Sequence, residues 1–140
     1  MAIKYYLQVN GIPGDSTAQD FRNWIDTLSY SWGGNSTASF DNLTGRVSDQ
    51  PVLITTSAGK HTPPMLEKFH RRERISSVVL VGSDNRTEII RIALSNVYIQ
   101  QWEMAGSASA DVPAESWGLL YESARIKIGT AEESWTPSVG

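Results

Sequence analysis

The 140-residue chain contains no cysteine. That removes disulfides, thiolate metal ligands and a thiol nucleophile together. Histidine is nearly absent: only His61 and His70 occur, nine positions apart. A metal-binding pair on a helix needs a spacing of about four, so both read as surface or cap-side groups. No run of residues approaches the roughly 18 apolar positions of a membrane span, and no membrane insertion is expected. Met1 to Val9 alternates in character, without the apolar block and cleavage site of a secretory signal. In the absence of such a signal, the Asn-x-Ser/Thr triplets at Asn35, Asn42 and Asn85 read as chance matches. Neither sign of charge dominates. Twelve Lys and Arg against 15 Asp and Glu give a net charge of −3, which argues against a nucleic-acid partner.

Catalytic groupings are missing as well. The serines include no Gly-x-Ser-x-Gly turn to expose a nucleophile. The stretch from Gly11 to Ser16 lacks the lysine and the following helix of a phosphate loop. Asp15, Asp20 and Asp26 lack the compact spacing of a calcium loop. The reading is therefore a non-enzymatic protein with no cofactor, no metal and no catalytic residue.

What the chain does have is strand signal. Ile3 to Val9 places Tyr5, Leu7 and Val9 on one side. After the turn-rich segment Asn10 to Ser16, Trp24 to Trp32 alternates with period two. Trp24, Asp26, Leu28, Tyr30 and Trp32 are set against Ile25, Thr27, Ser29 and Ser31. Gly33 to about Gly45 reads as a flexible loop. Val52 to Thr56 is a short β-branched strand, and Pro51 suits its first position or an edge. One helix follows, with Thr62 as N-cap, Pro63 at the first helical position, Glu67 near the first turn and Met65, Leu66 and Phe69 as its apolar stripe. It ends near Arg72. Ile75 to Val81 is a strand, and Gly82 to Asn85 a turn. Thr87 to Leu94 and Val97 to Met104 form one extended stretch bent near Ser95-Asn96. A loop covers Ala105 to Pro113, and Glu115 to Ile128 is the last strand. Residues 129–140 read as a loosely ordered tail, apart from Trp135. The pattern predicts one domain over residues 1–140, mainly β: a small antiparallel β-barrel with one short flanking α-helix. Closure into a barrel removes the exposed strand edges that a small sandwich would leave.

Two features invite a binding role. His70 to Arg74 is the one basic cluster, and the C-terminal end of a helix accounts for it. The five tryptophans, Trp24, Trp32, Trp102, Trp117 and Trp135, with Tyr30, Tyr98 and Tyr121, would serve a carbohydrate-binding platform. Their alternating positions fit core or interface packing better. A monomeric β-sandwich carbohydrate-binding module is thus the alternative from a different class.

Four segments in chain order resemble the haemolysin-coregulated protein (Hcp) family, the tube subunits of type VI secretion. They are Gly14-Asp15-Ser16 with Trp24 to Gly33; Gly45-Arg46-Val47-Ser48; Lys60 to Leu66; and Pro113-Ala114-Glu115-Ser116 with Leu119-Leu120-Tyr121 and Arg125-Ile126. The chain departs from the family pattern at Gly59, where an Asp is usual, at Phe21, where a His is usual, and in a shortened hairpin around Gly82 to Arg86.

The resemblance implies a barrel subunit whose main partner is itself. Homohexameric rings would stack into a hollow conduit, driven by a sheath, tipped by a spike and able to carry small effector proteins. Assembly would be cytoplasmic, followed by release to the exterior or into a target cell without a signal peptide. Ser31, and with it Ser29 and Thr27, would face the lumen and its cargo. Gly34, Asn35, Ser36, Thr37, Ala38, Ser39 and Phe40 would form the subunit or ring-stacking loop. A tube protein of a phage-tail-like injector would share this fold and physics.

Overall fold

The computed structural model describes residues 3–41, 45, 47–85 and 87–137. The triplet at Asn42, the Arg46 of the second family segment and the last three residues of the tail lie outside them.

The strands are β1 (Lys4–Val9), β2 (Ile25–Ser31), β3 (Gly34–Ser36), β4 (Val47–Asp49), β5 (Val52–Ser57), β6 (Ile75–Ser83), β7 (Glu88–Ala105), β8 (Ala114–Ile128) and β9 (Ala131–Trp135). The helix α1 (Thr62–Arg71) lies between β5 and β6. Six strands run in the order β5-β2-β1-β6-β7-β8, and β5 pairs with β8 to close the ring. The result is the antiparallel barrel with one helix that the strand pattern predicts. Its strands are strongly tilted. Following paired residues from Ile90 through Gly82, Tyr5, Thr27, Thr56 and Glu115 returns to β7 at Met104, fourteen residues farther along the same strand. A closed sheet needs that stagger.

Strand alternation fills the inside. Leu7 and Val9 of β1, Val52 and Ile54 of β5, Val78 and Leu80 of β6, Ile92 and Leu94 of β7, and Trp117 and Leu119 of β8 are all buried together. Met65 of α1 joins this core, so the apolar stripe of the helix closes one side of the barrel. α1 begins one residue earlier than a Thr62 cap implies. His61 occupies the N-cap, Thr62 is the first helical residue, and Pro63 and Pro64 follow it, one position later than expected. Glu67 falls outside the first turn, which holds no acidic residue. Arg72 ends the helix in the left-handed conformation at φ 53°. Asn96, also at φ 53°, supplies the bend read near Ser95-Asn96, yet β7 runs through it as one strand.

Three elements depart from expectation. Gly33 to Gly45 is not a plain loop, because β3 and β4 pair at its base as a separate two-stranded ribbon. β6 continues through Gly82 and Ser83, and the turn is displaced to Asp84, whose carboxylate accepts from the Thr87 N–H at 2.8 Å. The segment after Gly129 holds β9, paired with β8 from Ala124↔Trp135 to Ile128↔Ala131, where a loosely ordered tail was expected. Backbone ladders without an apolar signature carry β3, β4 and β9, so a hydrophobic pattern gives no warning of them.

Candidate functional site

The phase of β2 decides which side chains reach the outside. Thr27 pairs with Thr56, and the next pair is Ser29 with Thr55, so Leu28 is an extra residue in a β-bulge. Before the bulge, Ile25 and Thr27 point inward; after it, Tyr30 and Trp32 do. One unbroken alternation would have put Thr27 on the face of Ser29 and Ser31. Instead Thr27 is buried at 9% exposure, with its hydroxyl donating to the Ile25 carbonyl at 3.1 Å. The expectation that Thr27 shares the lumen face is corrected: the bulge turns it into the barrel.

Ser29 and Ser31 are exposed on the outer wall. The register extends that wall across four strands. Ser31 pairs with Leu53, which pairs with Gly118, which pairs with Gln101. Ser29 pairs with Thr55, then Ser116, then Glu103. Both rows are small or uncharged except at Glu103. At Gly118 a Cβ would come within 3.1 Å of the Gln101 Cβ, so glycine keeps the wall flat there. Sequence reasoning found the two serines and missed their cross-strand partners. Period two identifies faces, but only the register brings four strands together.

The ribbon is the second surface. Gly34, Asn35 and Ser36 form β3, while Thr37, Ala38, Ser39 and Phe40 lead beyond it. Gly45 packs back against Thr37 and Ala38, leaving no room there for a side chain. The Phe40 ring stands wholly in solvent.

Inside the opposite end of the barrel lies a polar cluster. Thr27, Thr56 and Glu115 occupy one inward cross-strand row. Glu115 Oε1 accepts from His61 Nε2 at 2.7 Å, from the Thr62 hydroxyl at 2.8 Å and from the Thr56 hydroxyl at 3.2 Å. His61 and Glu115 are both buried. His61 is therefore no surface group; it ties the start of α1 to β8. The Glu of the Pro-Ala-Glu-Ser segment was the only trace of this in the sequence. His70 is exposed, and its Nδ1 lies 2.8 Å from the Leu66 carbonyl.

The basic cluster is engaged within the chain. Arg71 faces Glu67 and Glu73, Lys68 pairs with Glu73 at 3.2 Å, and Arg74 donates to Asn96. None of the five tryptophans forms an open platform, since Trp117 is wholly buried and the other four are half-buried. Among the described residues, no acceptor meets the buried Trp102, Trp117 and Trp135 indole N–H groups. Among the described residues no helix is long and apolar enough to cross a membrane.

The chain is a closed six-stranded barrel with a nearly uncharged outer wall and a separate two-stranded ribbon. Residues 6–128 match the sequence model of the family described as "Type VI secretion system effector, Hcp". The chain belongs to this family, and it is a tube subunit of type VI secretion. Hcp proteins are structural and secreted. No curated protein sequence matches the chain significantly.

Solved structures share the fold. A type VI secretion system effector from Yersinia pestis superposes with a TM-score of 0.84 at 19% identity, covering 94% of this chain and 98% of that one. Hcp1 from Salmonella typhimurium gives 0.85 at 19% identity, covering 97% and 95%. A structure described only as a type six secretion system protein gives 0.89 at 15% identity, covering 96% of each.

Proposed function

We propose that this subunit closes into a ring of about six copies, with the wall of Ser29, Ser31, Leu53, Gly118 and Gln101 turned toward the open centre. The β3–β4 ribbon and Phe40 reach a neighbouring subunit or the next ring. Stacked rings form a hollow conduit that takes effector proteins through a passage of mostly uncharged side chains. Sheath and spike proteins meet its outside and its tip. The protein works by assembly and not by catalysis, and it leaves the cell through the machine it helps to build.

The observation that carries this reading is the wall itself. Four strands present two continuous rows that are uncharged except at Glu103, with Ser29, Ser31, Leu53 and Gln101 exposed. Thr27 is left out of the proposed lumen contacts because it faces the barrel interior.

Negative-stain images and mass photometry of the purified protein test the reading. Annular particles of about six copies are expected; a monomer that persists at high concentration would sink it. Within such rings, Ser31→Trp should narrow the passage and reduce co-purification of cargo while leaving the ring mass unchanged.

A further inference from the structure

β9 is not needed to close the barrel. β8 gives Ala114–Leu119 to β5 for closure and Ala124–Ile128 to β9. A second task for β9 shows at its last residue. The Trp135 ring stacks on Trp32 at 5.3 Å and 18°. Trp32 meets Tyr121 edge to face at 5.7 Å, and its indole N–H donates to the Tyr121 hydroxyl at 2.9 Å. That hydroxyl donates to the Gln50 carbonyl at 3.2 Å, and the Gln50 N–H donates to the Gly33 carbonyl at 2.9 Å.

Trp32 and Gly33 lead into β3, and Gln50 follows β4. Both legs of the ribbon are therefore fastened at its base to one aromatic group, made of Trp32, Tyr121 and Trp135. The ribbon has little else to hold its direction. It pairs over three residue pairs, and a two-stranded ribbon of that size is marginal alone. Its first leg also passes through Gly33-Gly34, a pair that yields easily to rotation.

We infer that β9 is a brace: Trp135 is a positioning residue that fixes the angle at which the β3–β4 ribbon leaves the barrel. The functional consequence rests on the ribbon's role in assembly proposed above. The brace itself does not. It predicts that loss of the Trp135 ring loosens the ribbon while the six-stranded barrel stays closed.

The absence of cysteine makes the test direct, because two introduced thiols are the only labelling sites. Asn35→Cys on the ribbon and Gln8→Cys on β1 take spin labels, and pulsed dipolar spectroscopy reads their separation. Labelled chains are diluted into unlabelled protein to isolate distances within one subunit. With Trp135→Ala the distance distribution should widen roughly two-fold or more, with an unchanged far-ultraviolet circular dichroism spectrum. Trp135→Phe, which keeps a stacking ring, should restore most of the narrow distribution. An unchanged width in the folded Trp135→Ala protein overturns the brace. If that variant loses its β spectrum, Tyr121→Phe decides. It keeps the ring and removes the hydroxyl, with its links to Gln50 and to the Trp32 indole N–H, and an unaltered width there counts against the inference. Ring formation measured on the same samples is a separate readout. Absence of rings in the parent protein would overturn the assembly reading and leave the brace to be judged by the distances alone.

Discussion

His61 Nε2 lies 2.7 Å from Glu115 Oε1, with both side chains sealed from water. The contact joins residues 54 positions apart and fastens the first turn of α1 to β8. Removing one partner leaves the other buried with only hydroxyl partners, Thr56 and Thr62 for Glu115 and Thr56 for His61. His61→Ala or Glu115→Ala should therefore cost about 3–5 kcal/mol each, measured by urea unfolding. The pair His61→Phe with Glu115→Leu should cost much less than the sum of the two, because no lone ionisable group is left behind and only the Thr56 hydroxyl loses its partners. Strict additivity in that cycle would show that the two residues act independently.

Leu28 is exposed, and it is the extra residue of the bulge in β2. Leu28→Ser should change stability by no more than about 0.5 kcal/mol. Deleting Leu28 removes the bulge and leaves one unbroken alternation, with Thr27, Tyr30 and Trp32 still inward and Ser29 and Ser31 still outward. The deletion variant should therefore keep a cooperative thermal transition; a variant that fails to fold would refute the register.

Gly14 sits where a Cβ would lie 2.5 Å from the Trp24 carbonyl oxygen and 2.7 Å from the Ile25 Cα. Both obstacles are backbone, and they cannot swing aside as a side-chain tip can. Gly14→Ala should destabilise the protein by about 1–3 kcal/mol, read as a lowered urea midpoint at unchanged slope.

Alkaline pH should loosen the barrel through its tyrosines. Burial pushes the Tyr30 phenol above the ordinary 10.0, and the neighbouring Tyr5 adds to the effect. Burial also raises Tyr121; the Trp32 indole bond opposes this in part, and the Asp49 charge reinforces it. A phenol held neutral by the fold contributes its full stability below the unfolded value. That contribution disappears as pH rises through the higher folded value. Stability should thus hold level up to about pH 10 and decline beyond it. Ultraviolet phenolate absorbance checks this: part of the signal should appear later in the folded protein than in denaturant.

Much of the barrel was readable before any coordinates. β1, β5, β6 and β8 are within a residue or two of their alternation patterns, because each buries one face and exposes the other. The bend at Asn96 was legible too, since asparagine tolerates the left-handed backbone there. The candidate wall was legible only in Ser29 and Ser31. Thr27 was misplaced because one inserted residue leaves no mark on composition. The β3–β4 ribbon was missed because Gly34-Asn35-Ser36 has turn chemistry and acquires strand pairing only from Val47 to Asp49. β9 was missed because Glu132 and Glu133 look like a solvated tail until the backbone ladder with β8 is seen. His61 does sit at the helix cap, but its burial was not legible, because nothing near it in the chain announces a carboxylate 54 residues away.

The seam between Val52 and Leu119 governs when the protein can fold. Every other barrel ladder needs only a chain that stops short of that seam or partners already close by. The closing ladder must bring together segments separated by the helix and two long strands. A nascent chain halted before residue 114 would present an open sheet with a raw edge on β5. Such an intermediate is sticky, and the search for this final pairing is slow by its topology. Synthesis of β8 is then the moment at which an aggregation-prone sheet becomes a sealed cylinder.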